Sequence, residues 1–239
     1  MRDATLVLLH PVGLDAACWQ FLDLASPVAP EFPGHGTRPR PEASWTLDDA
    51  ADEVAAAVAG PLDVVGVSMG GMVAQHLALR HPGRVRSLVL ACTSARAHRA
   101  ATLERADAIA RGGIESVLDS TLVRWFTPST LAEPHHAGVA YARQRLRTDD
   151  PVTFAQTWRV MAEHDVVERL GRIVVPVTVI AGAHDTASPV EQRRAVQRSL
   201  PNSRMEVLDG PHMLQLEVPQ VFSDAIRRHL RWVVRGGTG

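Results

Sequence analysis

The fold of this chain is decided by one short stretch, Asp63-Val64-Val65-Gly66-Val67-Ser68-Met69-Gly70-Gly71. Its apolar first half is typical of a strand buried on both faces, and the residues from Met69 onward favour a helix. Ser68 therefore lies in a sharp strand-to-helix turn, and Gly66, Gly70 and Gly71 occupy positions where a side chain would block that turn. A serine held in this way is a candidate nucleophile. The alternative is a serine that only caps the helix.

Other short apolar runs surround this stretch and alternate with helical segments. A helix is predicted from about Thr46 to about Ala59, with Thr46 or Ser44 as its N-cap. The alternation predicts an α/β fold with a mostly parallel central sheet and helices on both faces. The strands are predicted at Thr5–Leu9, 27–30, Leu62–Val67, Val85–Ala91, 174–181 and 204–208.

The pattern changes between residues 93 and 171. No strand is predicted there, and apolar residues recur at helical spacing within 103–109, 114–122 and 154–161. We interpret 93–171 as a helical cap inserted into a core domain made of residues 1–92 and 172–235. Residues 236–239 are predicted to form a disordered tail.

Composition excludes several classes of function. The chain has 239 residues, and its 25 basic and 26 acidic residues give no field that would attract nucleic acid or a membrane surface. The apolar run at 6–9 is too short for a signal peptide or a membrane span, so a cytoplasmic location is expected. Cys18 and Cys92 lack metal-ligand spacing. The sequence leaves the oligomeric state open, a homo-oligomer included.

A serine nucleophile needs a histidine base and a carboxylate that orients the base. His212 is the preferred base because it follows the last predicted strand, at the sheet edge where Ser68 emerges. Asp185 follows the preceding strand and precedes His212 in the chain, which is the order expected for this nucleophile turn. Asp209 and Asp165 are alternative acids, and a loop histidine that caps the next helix is the alternative for His212.

Two backbone N–H groups are candidates to bind a developing oxyanion. The Met69 N–H lies at the start of the helix that follows Ser68, where the helix dipole is positive. The Val12 N–H lies in the loop after the first strand, which carries the second donor in proteins with this turn. The alternative for Val12 is an ordinary strand-to-helix turn.

Taken together, these motifs resemble the α/β-hydrolase family along nearly the whole chain. Within it, the chain is most similar to 3-oxoadipate enol-lactone hydrolases. The resemblance implies hydrolysis of an ester or lactone through an acyl-enzyme on Ser68, with no metal or organic cofactor. Enol-lactonases usually carry Asn-Ser-Leu-Gly where this chain has His10-Pro11-Val12-Gly13. The motifs that carry the resemblance are Leu9 to Gly13, Glu31 to Gly36, Gly66 to Gly71, Arg124 to Thr127, Thr148-Asp149, Asp185 and Gly210 to His212.

The expected substrate is a small ester or lactone. The resemblance leaves open whether this substrate also carries a carboxylate. The candidates to bind that carboxylate are three arginines of the insertion, although surface solvation is the alternative for each: Arg124, Arg143 and Arg145. Three further residues are candidates to line the substrate pocket, with the helical core as their alternative: Trp125, Trp158 and Met161.

Two other functions remain open at this stage. The same Ser, Asp and His set hydrolyses carbon–carbon bonds in β-diketone-like substrates. A chain that retained the pocket without turnover would instead be a non-catalytic ligand-binding protein.

Overall fold

The computed structural model describes residues 4–236 and contains a five-stranded sheet whose strands follow one another in chain order. Every neighbouring pair is parallel. All residues of β2 and β4 are buried, because helices cover both faces of the sheet. The predicted α/β architecture is confirmed. The strands are β1 (Thr5–Leu9), β2 (Leu62–Val67), β3 (Val85–Ala91), β4 (Val177–Gly182) and β5 (Ser203–Leu208).

Ten α-helices occur among residues 4–236, together with 3₁₀ turns at Ala16–Trp19 and Val167–Arg172. The first is capped as the sequence predicts, because the Asp49 N–H donates to Thr46 Oγ1 at 3.1 Å and the Thr46 N–H donates back to the Asp49 carboxylate at 2.8 Å. The helices are α1 (Leu47–Ala57), α2 (Met69–Arg80), α3 (Arg99–Gly112), α4 (Glu115–Trp125), α5 (Pro128–Leu131), α6 (Ala137–Thr148), α7 (Pro151–Ala162), α8 (Val190–Arg198), α9 (Leu214–Glu217) and α10 (Pro219–Val234).

Packing around the sheet brings the first residue of α2 to the site. This helix packs against β1, β2 and β3, while α8 packs against β4 and β5. The segment 93–171 lies between β3 and β4 in the chain and contains α3 to α7. Its only β-structure within the described residues is one isolated bridge between Arg96 and Asp165. That this segment is a separate cap stays a prediction.

Some predicted element bounds differ from the structure. The strand predicted at 27–30 is only a single bridge between Val28 and Val7, since Pro27 and Pro30 have no N–H with which to extend the pairing. β4 begins at Val177 rather than 174, directly after Pro176. Gly236 is in a turn, and the rest of the predicted tail, 237–239, lies outside the described residues.

Within residues 4–236, none of the helices combines the length and the apolar character needed to cross a membrane.

Candidate active site

Ser68 occupies a strained turn between β2 and α2. Its φ is +53° and its ψ is −116°, a conformation that residues other than glycine rarely adopt. The backbone is fixed there because the Ser68 N–H donates to the Ala91 carbonyl at 3.0 Å and the Thr93 hydroxyl donates to the Ser68 carbonyl at 2.7 Å. The Ser68 side chain makes no capping hydrogen bond to α2. Its hydroxyl is therefore available to other groups.

The three glycines of the turn are required by close contacts, with backbone at Gly66 and Gly70 and with a side chain at Gly71. A Cβ on Gly66 would lie 2.3 Å from the Gly70 carbonyl oxygen, and one on Gly70 would lie 1.9 Å from the Leu9 carbonyl oxygen. A Cβ on Gly71 would lie 2.5 Å from the Thr93 methyl carbon. Real Cβ atoms do not approach other atoms this closely, so the absence of side chains lets the first turn of α2 pack directly on the ends of β1 and β3.

His212 connects the Ser68 hydroxyl to a buried carboxylate. Its Nε2 lies 3.0 Å from Ser68 Oγ, and its Nδ1 lies 2.8 Å from Asp185 Oδ2. The other carboxylate oxygen of Asp185 accepts the N–H groups of Ala187 and Ser188, both at 2.9 Å. Since a carboxylate only accepts hydrogen bonds, Nδ1 carries the proton and Nε2 can take one from the serine. The structure thus brings the three predicted side chains into one hydrogen-bonded sequence.

The two alternative acids lie elsewhere. Asp209 is exposed and its carboxylate pairs with His184 at 2.8 Å. Asp165 is also exposed and pairs with Arg96 at 2.7 Å. Neither has a contact with His212 among the described residues.

Both predicted oxyanion donors belong to the region around Ser68. Met69 is the first residue of α2, and Val12 lines the same cavity as Ser68. Within residues 4–236, neither the Val12 N–H nor the Met69 N–H donates to a protein acceptor. Unpaired N–H groups beside a nucleophile are what an oxyanion requires.

His10 was assigned no role from sequence, yet it holds the loop that contains Val12. The Phe32 N–H donates to His10 Nε2 at 3.1 Å, so the proton lies on Nδ1, which donates to the Pro11 carbonyl at 2.8 Å. This bond orients the peptide group that carries the Val12 N–H. Burial lowers the pKa of His10 to about 4, which keeps the ring neutral near pH 7. Its position directly before the loop was the available sequence signal.

A cavity of about 720 Å³ opens beside Ser68 and His212. Three of the predicted substrate contacts, Trp125, Trp158 and Met161, line it. The Trp158 ring lies edge-on to Phe154, with ring centroids 6.3 Å apart. Most of the exposed lining surface is apolar, as in small-molecule sites, although about half of the lining residues are polar or charged. Its volume suits a small molecule better than a polymer.

The fourth predicted substrate contact, Arg143, stays a prediction that the cavity does not support. Arg143 does not line the cavity, and its guanidinium lies 3.4 Å from the exposed carboxylate of Asp119. Arg145 is also committed elsewhere, to Asp15 and Asp149. Helical periodicity alone does not show which face of α6 meets the cavity. Arg124 does line it, and so does Arg105 from α3, which sequence patterns did not single out.

One group of described residues has potential metal ligands close together, namely Cys92, Asp185 and His212, within 4.8 Å of one another. A metal there would displace the hydrogen bond between His212 and Asp185. It would also need the Cys92 thiolate, and burial, together with the nearby Asp185, raises the pKa of this thiol well above its usual value. The geometry therefore fits a hydrogen-bonded side-chain set better than a metal site.

A profile of the alpha/beta hydrolase family matches residues 6–225, so the chain belongs to that family. It is similar to 3-oxoadipate enol-lactonase 2 of Acinetobacter baylyi, with 28% identity over 92% of this chain and 86% of the relative. Pimeloyl-(acyl-carrier protein) methyl ester esterase of Chromobacterium violaceum is 32% identical over 94% of this chain and 93% of the relative.

Among solved structures, the enol-lactonase from Burkholderia xenovorans matches with a TM-score of 0.89 and 25% identity, covering 96% of this chain and 92% of that one. The predicted resemblance to the α/β-hydrolase family and its enol-lactonases is confirmed. By their names, these relatives act on esters or lactones.

Proposed function

We propose that this chain is a serine hydrolase that cleaves a small carboxylic ester or lactone through an acyl-enzyme on Ser68. The observation that carries the proposal is the hydrogen-bonded sequence from Ser68 through His212 to Asp185 at the wall of a cavity. Esterase and enol-lactonase relatives at modest identity support the same bond type.

Each group of the site has a role in the proposed reaction. His212 Nε2 takes the proton of Ser68 as Oγ attacks the carbonyl carbon, and Asp185 stabilises the imidazolium that forms. The N–H groups of Val12 and Met69 bind the oxyanion of the tetrahedral intermediate. Collapse breaks the bond to the alkoxy oxygen, which receives the proton from His212. In a lactone this oxygen remains tethered to the acyl group. Water, activated by His212, then hydrolyses the acyl-enzyme.

The substrate of the proposal is a small molecule, since the cavity has about the volume of ordinary small-ligand sites. A carboxylate on this substrate is consistent with the name of the oxoadipate relative. No aspartate or glutamate of the described chain lines the cavity, so a negative charge would meet no repulsion from its walls.

Labelling with a fluorophosphonate probe tests the nucleophile. We expect labelling of the wild-type protein and none of Ser68→Ala, with turnover of aryl esters reduced at least about 10⁴-fold. His212→Ala should lose labelling as well, because the serine then lacks its base. Ser199→Ala removes a hydroxyl from the same cavity and is the matched control. Equal labelling of wild type and Ser68→Ala would refute the proposal. Tight binding of ligands without turnover by the wild type would favour a binding protein instead.

A further inference from the structure

Positive charge lines the cavity without a matching acid. Arg96, Arg105, Arg124 and Arg193 all contribute to the lining, while no aspartate or glutamate among residues 4–236 does. Arg96 is neutralised from outside the cavity by Asp165. The other three have no carboxylate within ion-pair distance in the part of the chain described here. Arg193 interacts electrostatically with Asp185, so an anion that compensates the remaining two, Arg105 and Arg124, would come from the ligand.

Arg193 is an unsuitable ligand contact, although it lies in the cavity wall. It is completely buried, with an exposed fraction of 0%, and its two terminal nitrogens donate to Ser188 Oγ and Gln192 Oε1. Ser188 in turn donates its N–H to Asp185 at 2.9 Å. Arg193 thus supports the loop that surrounds the triad acid.

Arg105 is held in place while part of its guanidinium stays unpaired. Its Nη2 donates to Thr121 Oγ1 and approaches the Val117 carbonyl at 3.5 Å. The guanidinium carbon lies 5.1 Å from the centroid of the Trp158 ring, a cation–π arrangement. The buried Nε has no acceptor among the described residues. Burial lowers the pKa of Arg105 to about 10, which still leaves it charged at neutral pH. A desolvated cation of this kind is stabilised when an anion binds.

Arg124 adds a second charge to the same wall. It is exposed on the last turn of α4, and its guanidinium makes no hydrogen bond or ion pair with any residue in 4–236. The charge of Arg124 contributes to the lowered pKa of Arg105, so the two cations repel each other. An anion between them would relieve this repulsion.

The surface arginines of the same helical segment differ from this pair. Arg99, Arg143, Arg147 and Arg159 each have a carboxylate partner within 3.4 Å. Exposed ion pairs of this kind contribute little to stability, but they show that acids are placed beside arginines elsewhere on these helices. Arg105 and Arg124 line the cavity without such a partner, whereas Arg111 and Arg169, which also lack one among the described residues, lie outside the cavity lining.

We propose that Arg105, backed by Trp158 and assisted by Arg124, forms an anion subsite that binds a carboxylate of the substrate while Ser68 attacks its ester or lactone carbonyl. This inference rests on the proposed function. The Nη1 of Arg105 makes no hydrogen bond with any residue in 4–236 and can donate to a carboxylate oxygen, while Thr121 and Trp158 fix the guanidinium plane before the ligand arrives. Trp158 is thereby assigned a second role, as the support of the arginine.

Matched aryl esters test the subsite. The 4-nitrophenyl monoester of glutaric acid carries a terminal carboxylate, and 4-nitrophenyl pentanoate is its neutral counterpart of similar length. For wild type we expect a higher kcat/KM with the charged ester. In Arg105→Met this preference should fall by about 10- to 100-fold, chiefly through KM, because a charge-assisted hydrogen bond contributes about that much. Activity on the neutral ester should change by less than about threefold. Arg105→Lys, which retains the positive charge without the planar guanidinium, should recover part of the preference for the charged ester.

Arg143→Met is the matched control, since this arginine pairs with Asp119 outside the cavity and should leave the preference intact. Equal kcat/KM for the two esters in wild type, or an unchanged preference in the Arg105→Met/Arg124→Met double variant, would overturn the subsite.

Titration calorimetry with glutarate separates this inference from the proposed function. Glutarate that binds to wild type but not to Arg105→Met supports the subsite, whether or not the esters are hydrolysed. A wild type that hydrolyses neither ester would count against the proposed serine hydrolase. If wild type instead hydrolyses the neutral ester but neither binds glutarate nor hydrolyses the charged ester, the serine hydrolase is supported and the anion subsite is refuted.

Discussion

The reacting end of the cavity and its helical wall differ in how their polar groups are paired. Around Ser68, the side chains of His212 and Asp185 have partners at 2.8–3.0 Å, supplied by one another and by backbone N–H groups. At the wall, the Nε of Arg105 and the guanidinium of Arg124 have no acceptor within residues 4–236.

This difference separates the choice of reaction from the choice of substrate. Paired groups at the reacting end are preorganised, so they would serve any carbonyl that reaches Ser68. The unpaired cations at the wall are stabilised by an anionic ligand and not by a neutral one. Substitutions at the two regions should accordingly affect kcat and KM differently.

The largest effect is expected at the acid of the reacting end, where Asp185 is compared with its alternative, Asp209. Asp185→Asn removes the carboxylate that keeps the proton on His212 Nδ1, and kcat should fall about 10⁴-fold, as when the corresponding tautomer is lost in other serine hydrolases. Asp209→Asn is the control, because within residues 4–236 Asp209 pairs with His184 alone, and it should retain near wild-type kcat. Steady-state kinetics on an aryl ester measure both. If Asp209→Asn were the more damaging change, Asp209 would be the acid.

A smaller effect is expected from disturbing the backbone that supports the reacting end. In Gly70→Ala the new Cβ would lie 1.9 Å from the Leu9 carbonyl oxygen, so α2 must shift away from β1. The free energy of unfolding should fall by about 1–3 kcal/mol, with a loss in kcat because Met69 moves as well. Gly83→Ala is the control, since nothing lies within 4 Å of its Cβ. Urea unfolding measures the change, and equal stability of the two variants would contradict the tight packing.

The smallest expected effect is a loss of stability in mild acid. Burial lowers the pKa of His10 to about 4 and, with His10 beside it, the pKa of His35 to about 3. Both lie below the ordinary value of about 6.5, so from pH 6.5 downward the unfolded chain binds protons that the folded chain does not. Between pH 7.5 and 5.5, each histidine should reduce the free energy of unfolding by about 1.4 kcal/mol.

Urea unfolding of His35→Phe at the two pH values measures the share of that residue, and His135→Ala, on the exposed surface, is its control. A loss that is identical in wild type and His35→Phe would show that this histidine is not buried and neutral.

Sequence-based prediction succeeded best where residue identity is tied to backbone geometry. The glycines around Ser68 have to be glycines because a Cβ would clash with neighbouring backbone or, at Gly71, with the Thr93 side chain, and the capping box at Thr46 requires its own residue types. The sequence could not place Arg143 relative to the cavity, since the helical period gives the spacing of residues on α6 but not the face that meets the cavity. Arg105 escaped notice for the same reason.

By itself, the sequence determined the alternation of strands and helices, the nucleophile turn and the chain order of Ser68, Asp185 and His212, because these depend on local propensity and on which strand each residue follows. Only the tertiary structure decided the pairing of Asp209 with His184, the hydrogen bonds of His10 and the absence of an acid beside Arg105. These features depend on contacts between segments distant in sequence, and no local pattern records them.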